Sequence, residues 1–143
     1  MTASFNIGLV IGSFHQDACQ TMRDVAVAEA GALGIEVGVE CWVPGSMEKP
    51  LAVKRLLANP TIDGVVVLGI IERGETGHGR TMGQAVIQAL IDLQLKMDKP
   101  VGVGILGPDI LPEQIPPRLK PYARDAVRAL ATMLQAQRKG SAQ

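Results

Sequence analysis

Hydrophobic positions along the chain fall into two alternating spacings, short uncharged runs and longer stretches with one apolar face. Phe5–Gly12 (FNIGLVIG) is an apolar run ending in glycine and predicts a strand. Asp17–Gly34 places Ala18, Met22, Val25, Ala26 and Ala30 at helical spacing, with Asp17 the expected N-cap and Gly34 at the C-terminal side. Ile35–Val43 (IEVGVECWV) alternates as a half-buried strand does, and PGSMEKP after it signals a turn. Pro50 sits in the first turn of a short helix over PLAVKRLLANP. DGVVVLGII predicts a buried strand. Thr81–Met97 predicts the longest helix, with Met82, Val86, Leu90, Leu93 and Met97 on its apolar face. PVGVGIL predicts a fourth strand, GPDILPEQIPPRLKP a proline-rich connection and YARDAVRALATMLQAQRK a final helix.

Strands uncharged on both faces, each followed by a helix, imply a parallel sheet covered on both sides. The expected fold is a single-domain α/β protein, a three-layer α/β/α sandwich with a four-stranded parallel sheet, flavodoxin-like. The domain spans residues 1–139, and GSAQ (140–143) is expected to be a disordered tail. In such sheets ligands bind at the carboxyl ends of the strands. Chemistry is therefore sought in the segments that follow each strand.

Composition narrows the partners. Fourteen basic and fourteen acidic residues cancel, so no general attraction to nucleic acid or anionic membrane is expected. The few aromatics (Phe5, Phe14, Trp42, Tyr122) make a base-stacking platform improbable on count alone. No apolar stretch approaches the ~20 residues that span a bilayer. The amino terminus lacks the basic segment of a signal peptide, so a cytoplasmic protein is expected. Cys19 and Cys41 stand apart from each other and from any histidine pattern, and read as buried or half-buried thiols.

The segment RGETGHGRT joins the third strand to the longest helix. Its glycines let main-chain N–H groups turn towards a ligand, and the helix N-terminus adds partial positive charge. A phosphate or carboxylate suits this loop, although it matches neither the Walker pattern nor the dinucleotide fingerprint. A flexible loop in which Thr76 caps the helix fits the same residues. His78, two positions on, is of the residue type best suited to move protons at neutral pH, or can be a surface residue of the first helical turn. Phe14 can stack on a flat ring or plug the core. Glu48 can accept hydrogen bonds from a ligand or face solvent. Arg118 can clamp an anion or remain surface charge.

Taken in order, VIGSFHQD, VPGSMEKPLAVKRL, VLGIIERGETGHG and PPRLKPYARDAV resemble the lumazine synthase family, in its archaeal-like branch. The resemblance runs from about Phe5 to Met133. It implies a transferase of riboflavin biosynthesis. Such an enzyme condenses 5-amino-6-(D-ribitylamino)uracil with 3,4-dihydroxy-2-butanone 4-phosphate to give 6,7-dimethyl-8-ribityllumazine. By the same resemblance His78 shifts protons, and Gly74, Glu75 and Thr76 hold the phosphate. Phe14 stacks on the pyrimidinedione ring, and Ser46, Met47 and Glu48 hold the ring edge and ribityl chain. Ile70 and Ile71 supply backbone contacts. Arg118 reaches the phosphate from a neighbouring subunit, Arg124 matches the late Lys or Arg of the pattern as a substrate-binding residue, and Val103 walls the ring across the interface. The family implies no metal or redox cofactor and a homo-pentamer, or a larger assembly of pentamers, with small-molecule substrates alone.

The sequence departs from the family pattern at the ligand-facing loops. His15 replaces an Asn, Met47 replaces a Phe, GRT follows His78, and Glu72 and Arg73 put charges where members are more apolar. An archaeal-type riboflavin synthase, or a non-catalytic lumazine- or flavin-binding shell-forming paralogue, shares parts of the pattern. The intact GETGH favours lumazine synthase, because the former rival has no butanone phosphate to hold.

Overall fold

Uncharged, β-branched runs exclude water best when both their faces are covered, and the two most apolar runs take the centre of the sheet. The computed structural model describes residues 4–141, with side chains described through residue 136. The elements are β1 (Asn6–Gly12), α1 (Gln16–Ala32), β2 (Glu36–Val43), α2 (Lys49–Leu57), β3 (Gly64–Glu72), α3 (His78–Met97), β4 (Val101–Ile110) and α4 (Leu119–Ser141). Single 3₁₀ turns occupy Ser46–Glu48, Pro112–Gln114 and Pro116–Arg118. The four strands form one parallel sheet in the order β2-β1-β3-β4.

Alternation along the strands divides the core into two layers. Ile7, Leu9 and Ile11 of β1, with Val66, Leu68 and Ile70 of β3, face α1 and α4. Val10, Val65, Val67 and Ile71 point the other way, against Val53 and Leu57 of α2 and Val86 and Leu90 of α3. The expected three-layer α/β/α sandwich is thus the observed one. β2 lies at an edge, and its exposure alternates residue by residue as its sequence does. In α1 the expected stripe is buried at Met22, Ala26 and Ala30, with Ala18 and Val25 packed against it. Cys19 is buried, Cys41 half-buried, and both are free thiols.

Most sequence boundaries hold to a residue or two, and the exceptions have local causes. Asp17 is not the N-cap of α1. His15 occupies that position in a left-handed conformation (φ 61°), because the chain must reverse sharply after β1. Asp17 still favours the first turn through the helix dipole. At the other end Gly34 (φ 73°) follows the helix, and the Ile35 N–H donates to the Ala30 carbonyl at 2.8 Å, a glycine C-cap. α3 starts at His78, three residues before the apolar pattern begins, since its first turn projects into solvent and needs no apolar side chain. β4 continues through Ile110, which pairs with Glu72 after a shift in register. α4 starts at Leu119, as Pro121 is tolerated in a first turn. It runs through Ser141, two residues into the segment expected to be a tail, and Ala142 and Gln143 lie outside the described residues. Among the described residues no helix is long and apolar enough to cross a membrane.

The strand order fixes where a ligand can enter. From β1 the chain crosses by α1 to β2 at one edge, then returns by α2 over the opposite face to β3. The two central strands therefore send their following segments apart, which opens a crevice at their carboxyl ends. On the α4 face, close approach of helix to sheet needs bare backbone: a Cβ on Gly102 would lie 2.2 Å from the Ala126 carbonyl oxygen. Gly102→Ala should destabilise the fold by about 1–3 kcal/mol through overpacking. Gly31→Ala, on the exposed side of α1 with open space around it, should be neutral or add up to ~1 kcal/mol. Urea unfolding of the two variants beside the parent protein tests the contrast, and equal effects would contradict it.

Candidate active site

At the β1/β3 crevice the fold leaves a cleft of about 380 Å³. Three segments wall it: the end of β1 with Gly12 and Phe14, the turn after β2 from Pro44 to Lys49, and the end of β3 running into α3. Phe14, Ser46, Met47, Glu48, Ile70, Ile71, Gly74, Thr76 and His78, all expected in the site from sequence, line this cleft together.

The β3–α3 side is polar and built from main chain. Arg73 N–H donates to the Ile110 carbonyl at 2.8 Å, which ties the start of the loop to the end of β4. Thr76 Oγ1 accepts from the His78 N–H at 3.3 Å, so the threonine does bond to the first turn as a capping residue would. Gly74 and Gly77 have open space around their α-carbons, which leaves their N–H groups approachable. Together these donors sit at the positive end of a 20-residue helix, a setting that favours an anion. His78 is the first helical residue, exposed and on the cleft wall. Glu75 is exposed on the same loop but outside the cleft lining.

Across the cleft, apolar Phe14, Pro44 and Met47 stand beside Ser46, Glu48 and Lys49. Phe14 is 55% exposed, too open for a core plug, and stands on the rim. The turn beneath it is held by Ser13, whose N–H and Oγ both donate to the Val43 carbonyl, at 2.8 and 3.0 Å. Cys19 donates its thiol to the Phe14 carbonyl at 3.3 Å, and burial pushes that thiol's pKa up, with Lys49 opposing the shift. The His15 ring meets Phe14 edge-on at 4.4 Å, and its Nε2 lies 3.2 Å from Glu72 Oε2. This pair joins the end of β1 to the end of β3 at the mouth of the cleft. His15, which replaces an Asn of the family pattern, and Glu72, a charge where members are more apolar, thus have each other as partners.

Lys49 is the residue that sequence reasoning missed. Between Glu48 and Pro50 it reads as a solvated turn charge. In the structure it begins α2, is only 1% exposed and lies at the cleft floor. Its Nζ donates to Ser46 Oγ at 3.2 Å. Room for it exists because the strands below carry glycine: a Cβ on Gly69 would lie 1.9 Å from Nζ, and one on Gly12 3.2 Å. Burial pushes its pKa down to about 8, against the opposing pull of Cys19 and Glu48. The charged form therefore costs on the order of 3 kcal/mol of stability. An unfolded lysine keeps its proton to about pH 10.5, so that cost is full below about pH 8 and vanishes as pH rises from there to 10.5. A signal for this burial was present: Lys49, Val53 and Leu57 fall at i, i+4 and i+8, on the buried stripe of α2.

Besides Glu75, three expected residues lie outside the cleft. Val103 is half-buried in β4, paired with Val67. Arg118 is exposed in the last 3₁₀ turn and donates to the Gln114 carbonyl at 2.9 Å. Arg124 is half-buried on α4. The cleft thus sets a glycine-rich loop with a histidine at a helix N-terminus on one side, and Phe14, Met47 and a buried lysine on the other.

Known proteins share this chain's pattern along nearly its whole length. The family model described as 6,7-dimethyl-8-ribityllumazine synthase matches residues 4–138. Relatives carrying that same name include one from Saccharolobus solfataricus, 38% identical over 136 residues, spanning 95% of this chain and 88% of its own. Another, from Metallosphaera sedula, is 38% identical across 95% of this chain and 90% of its own. A third, from Staphylothermus marinus, is 39% identical over 128 residues, 90% and 85% of the two chains. With the α/β fold, the cleft at the switch point and these matches in agreement, the chain belongs to the 6,7-dimethyl-8-ribityllumazine synthase family, the transferases of riboflavin biosynthesis.

Proposed function

We propose that this cleft joins 5-amino-6-(D-ribitylamino)uracil to 3,4-dihydroxy-2-butanone 4-phosphate, with release of phosphate and water, to form 6,7-dimethyl-8-ribityllumazine. The observation that carries this reading is the division of one cleft into two chemically distinct halves, with His78 at the edge of the anion-binding half. The pyrimidine ring lies against Phe14, with Ser46, Met47 and Glu48 at its edge and ribityl chain and Ile70 and Ile71 offering main-chain contacts. The butanone phosphate places its phosphate at Gly74, Glu75 and Thr76.

The substrate amine attacks the ketone and expels water to form an imine. His78 assists the proton shifts that let phosphate leave, and the second amine then closes the ring on the remaining carbonyl with loss of a second water. No net oxidation occurs, so the protein's part is to position two reactants and move protons. Because the amine is itself a nucleophile, positioning alone retains part of the rate.

The assembly is a homo-pentamer, or a larger assembly of pentamers, in the cytoplasm, with its sites between subunits. Support for that arrangement comes from Arg118, Arg124 and Val103, which stand away from their own chain's cleft where a neighbour's could meet them. Neither nucleic acid nor membrane takes part.

His78→Ala should lower the enzyme-dependent formation of lumazine, followed by its absorbance, by about 10²–10⁴-fold while leaving a rate above the uncatalysed background. No enzyme-dependent rate in the parent protein would sink the reading. Arg118→Ala should raise KM for the butanone phosphate at least about tenfold, as expected for loss of a charge-assisted contact, with little change in KM for the pyrimidine. Equal effects on the two substrates would remove Arg118 from the phosphate site. Sedimentation of the purified protein tests the assembly, and a monomer that is fully active would overturn the interface site.

A further inference from the structure

Ser46 and Lys49 are the polar side chains that the fold buries among the described residues, and both sit under the cleft. An ammonium carries three N–H donors. Lys49 has one hydrogen-bond acceptor among the described residues, Ser46 Oγ, and no carboxylate at ion-pair distance. A buried charge left this way is costly, and an apolar side chain would continue the Val53 and Leu57 stripe at no such cost. Two strand glycines nonetheless keep the space around Nζ clear. The amine borders the cleft beside Gly12 and Ser46, in the half that holds Phe14, rather than in the Gly74–His78 half.

We propose that the Lys49 ammonium binds the heterocyclic substrate, donating N–H to a carbonyl or anionic oxygen on the edge of the ring that lies against Phe14. This rests on the lumazine synthase reading above and adds a specificity group to it. A flat ring on Phe14 gains contact area but little orientation. A single charged donor beneath one edge selects the face and register in which an oxygen points at the floor, and leaves the reacting amines towards the His78 side. The titratable groups whose charge reaches Lys49 are Cys19 of α1 and Glu48 of the turn, while β1 and β3 face it with Gly12 and Gly69, which carry no charge. Ligand oxygen would thus meet a positive site with no competing carboxylate bound to it.

The test is the affinity for the product, 6,7-dimethyl-8-ribityllumazine, of the parent protein and of Lys49→Met across pH. Methionine fills the same channel without the charge. At about pH 7 the substitution should raise Kd about 10–100-fold, the range for a hydrogen bond to a charged group. KM for the butanone phosphate should change by less than about twofold, as that substrate occupies the other half. The ratio of the two Kd values should fall towards one as pH rises through about 8, where the amine loses its proton. Ionisation of the ligand is followed by its absorbance when bound to each protein, and the ratio is taken for one ionisation state of the ligand.

Thermal melting at neutral pH checks the variant, which should be at least as stable as its parent. Should it fail to fold, NMR titration of the Lys49 side chain in the parent protein decides: bound lumazine should move its titration to higher pH. Kd values within about twofold at pH 7, a ratio that grows with pH, or a lysine titration unmoved by lumazine would each overturn the assignment. A parent protein that neither binds lumazine nor forms it from the two substrates would overturn the lumazine synthase reading, and this role with it. Parent activity with unchanged Lys49→Met affinity would overturn only the role of the lysine.

Discussion

The parallel pairing of β1 with β3, from Ile7 opposite Gly64 to Ile11 opposite Leu68, is the constraint on which the cleft depends. Both strands are buried on both faces, so neither can tolerate a charge within its run, and each must release its chain at the carboxyl end before polar chemistry can begin. With the crossovers leaving towards opposite faces, no helix covers the gap between those two ends. The crevice is a consequence of chain order and handedness rather than of any one residue in it. The side chains then determine what it holds.

The two strand ends solve different problems. After β1 the chain turns within a few residues, with Ser13 bound to the end of β2 and His15 in a left-handed conformation, and this brings Phe14 to the rim. After β3 the turn is longer and glycine-rich, and it ends at the N-terminus of α3, whose first main-chain N–H groups have no partner within the helix. The His15–Glu72 contact ties the two ends together across the mouth. Hydrogen bonds thus hold both walls, the first to the end of β2 and the second to the end of β4. An aromatic rim opposite a polar loop is suited to holding a flat ring still while a smaller, charged partner is brought to it.

Lys49 shows how the same scaffold can spend stability on specificity. Its cost comes from desolvation, and α2 brings the amine there because the backbone of the helix is held by Val53 and Leu57 on the same stripe. The glycines at 12 and 69 are the complement: without them the amine would meet a side chain instead of a slot. Residues far apart in the chain, on β1, β3 and α2, therefore act as one feature. The arginines expected to serve the site differ, since Arg118 and Arg124 do not line their own chain's cleft.

Hydrophobic spacing alone determined the element order, the parallel three-layer fold and the two core faces, because strand and helix periods are local properties that burial on either side reinforces. It also marked the segments that line the cleft, since chain ends of buried strands are the places where polar and glycine residues can stand. The motifs then identified the family and named nine of the residues that the cleft brings together. What spacing could not decide were features set by more than one segment. The His15–Glu72 contact joins residues 57 positions apart, and each stood as a separate departure from the family pattern until the other was beside it. The burial of Lys49 depends on glycines in two other strands, and a turn-like sequence around a lysine says nothing of them. Whether a charge is solvated or sunk is decided by what packs over it, and that is fixed only when the whole chain has folded.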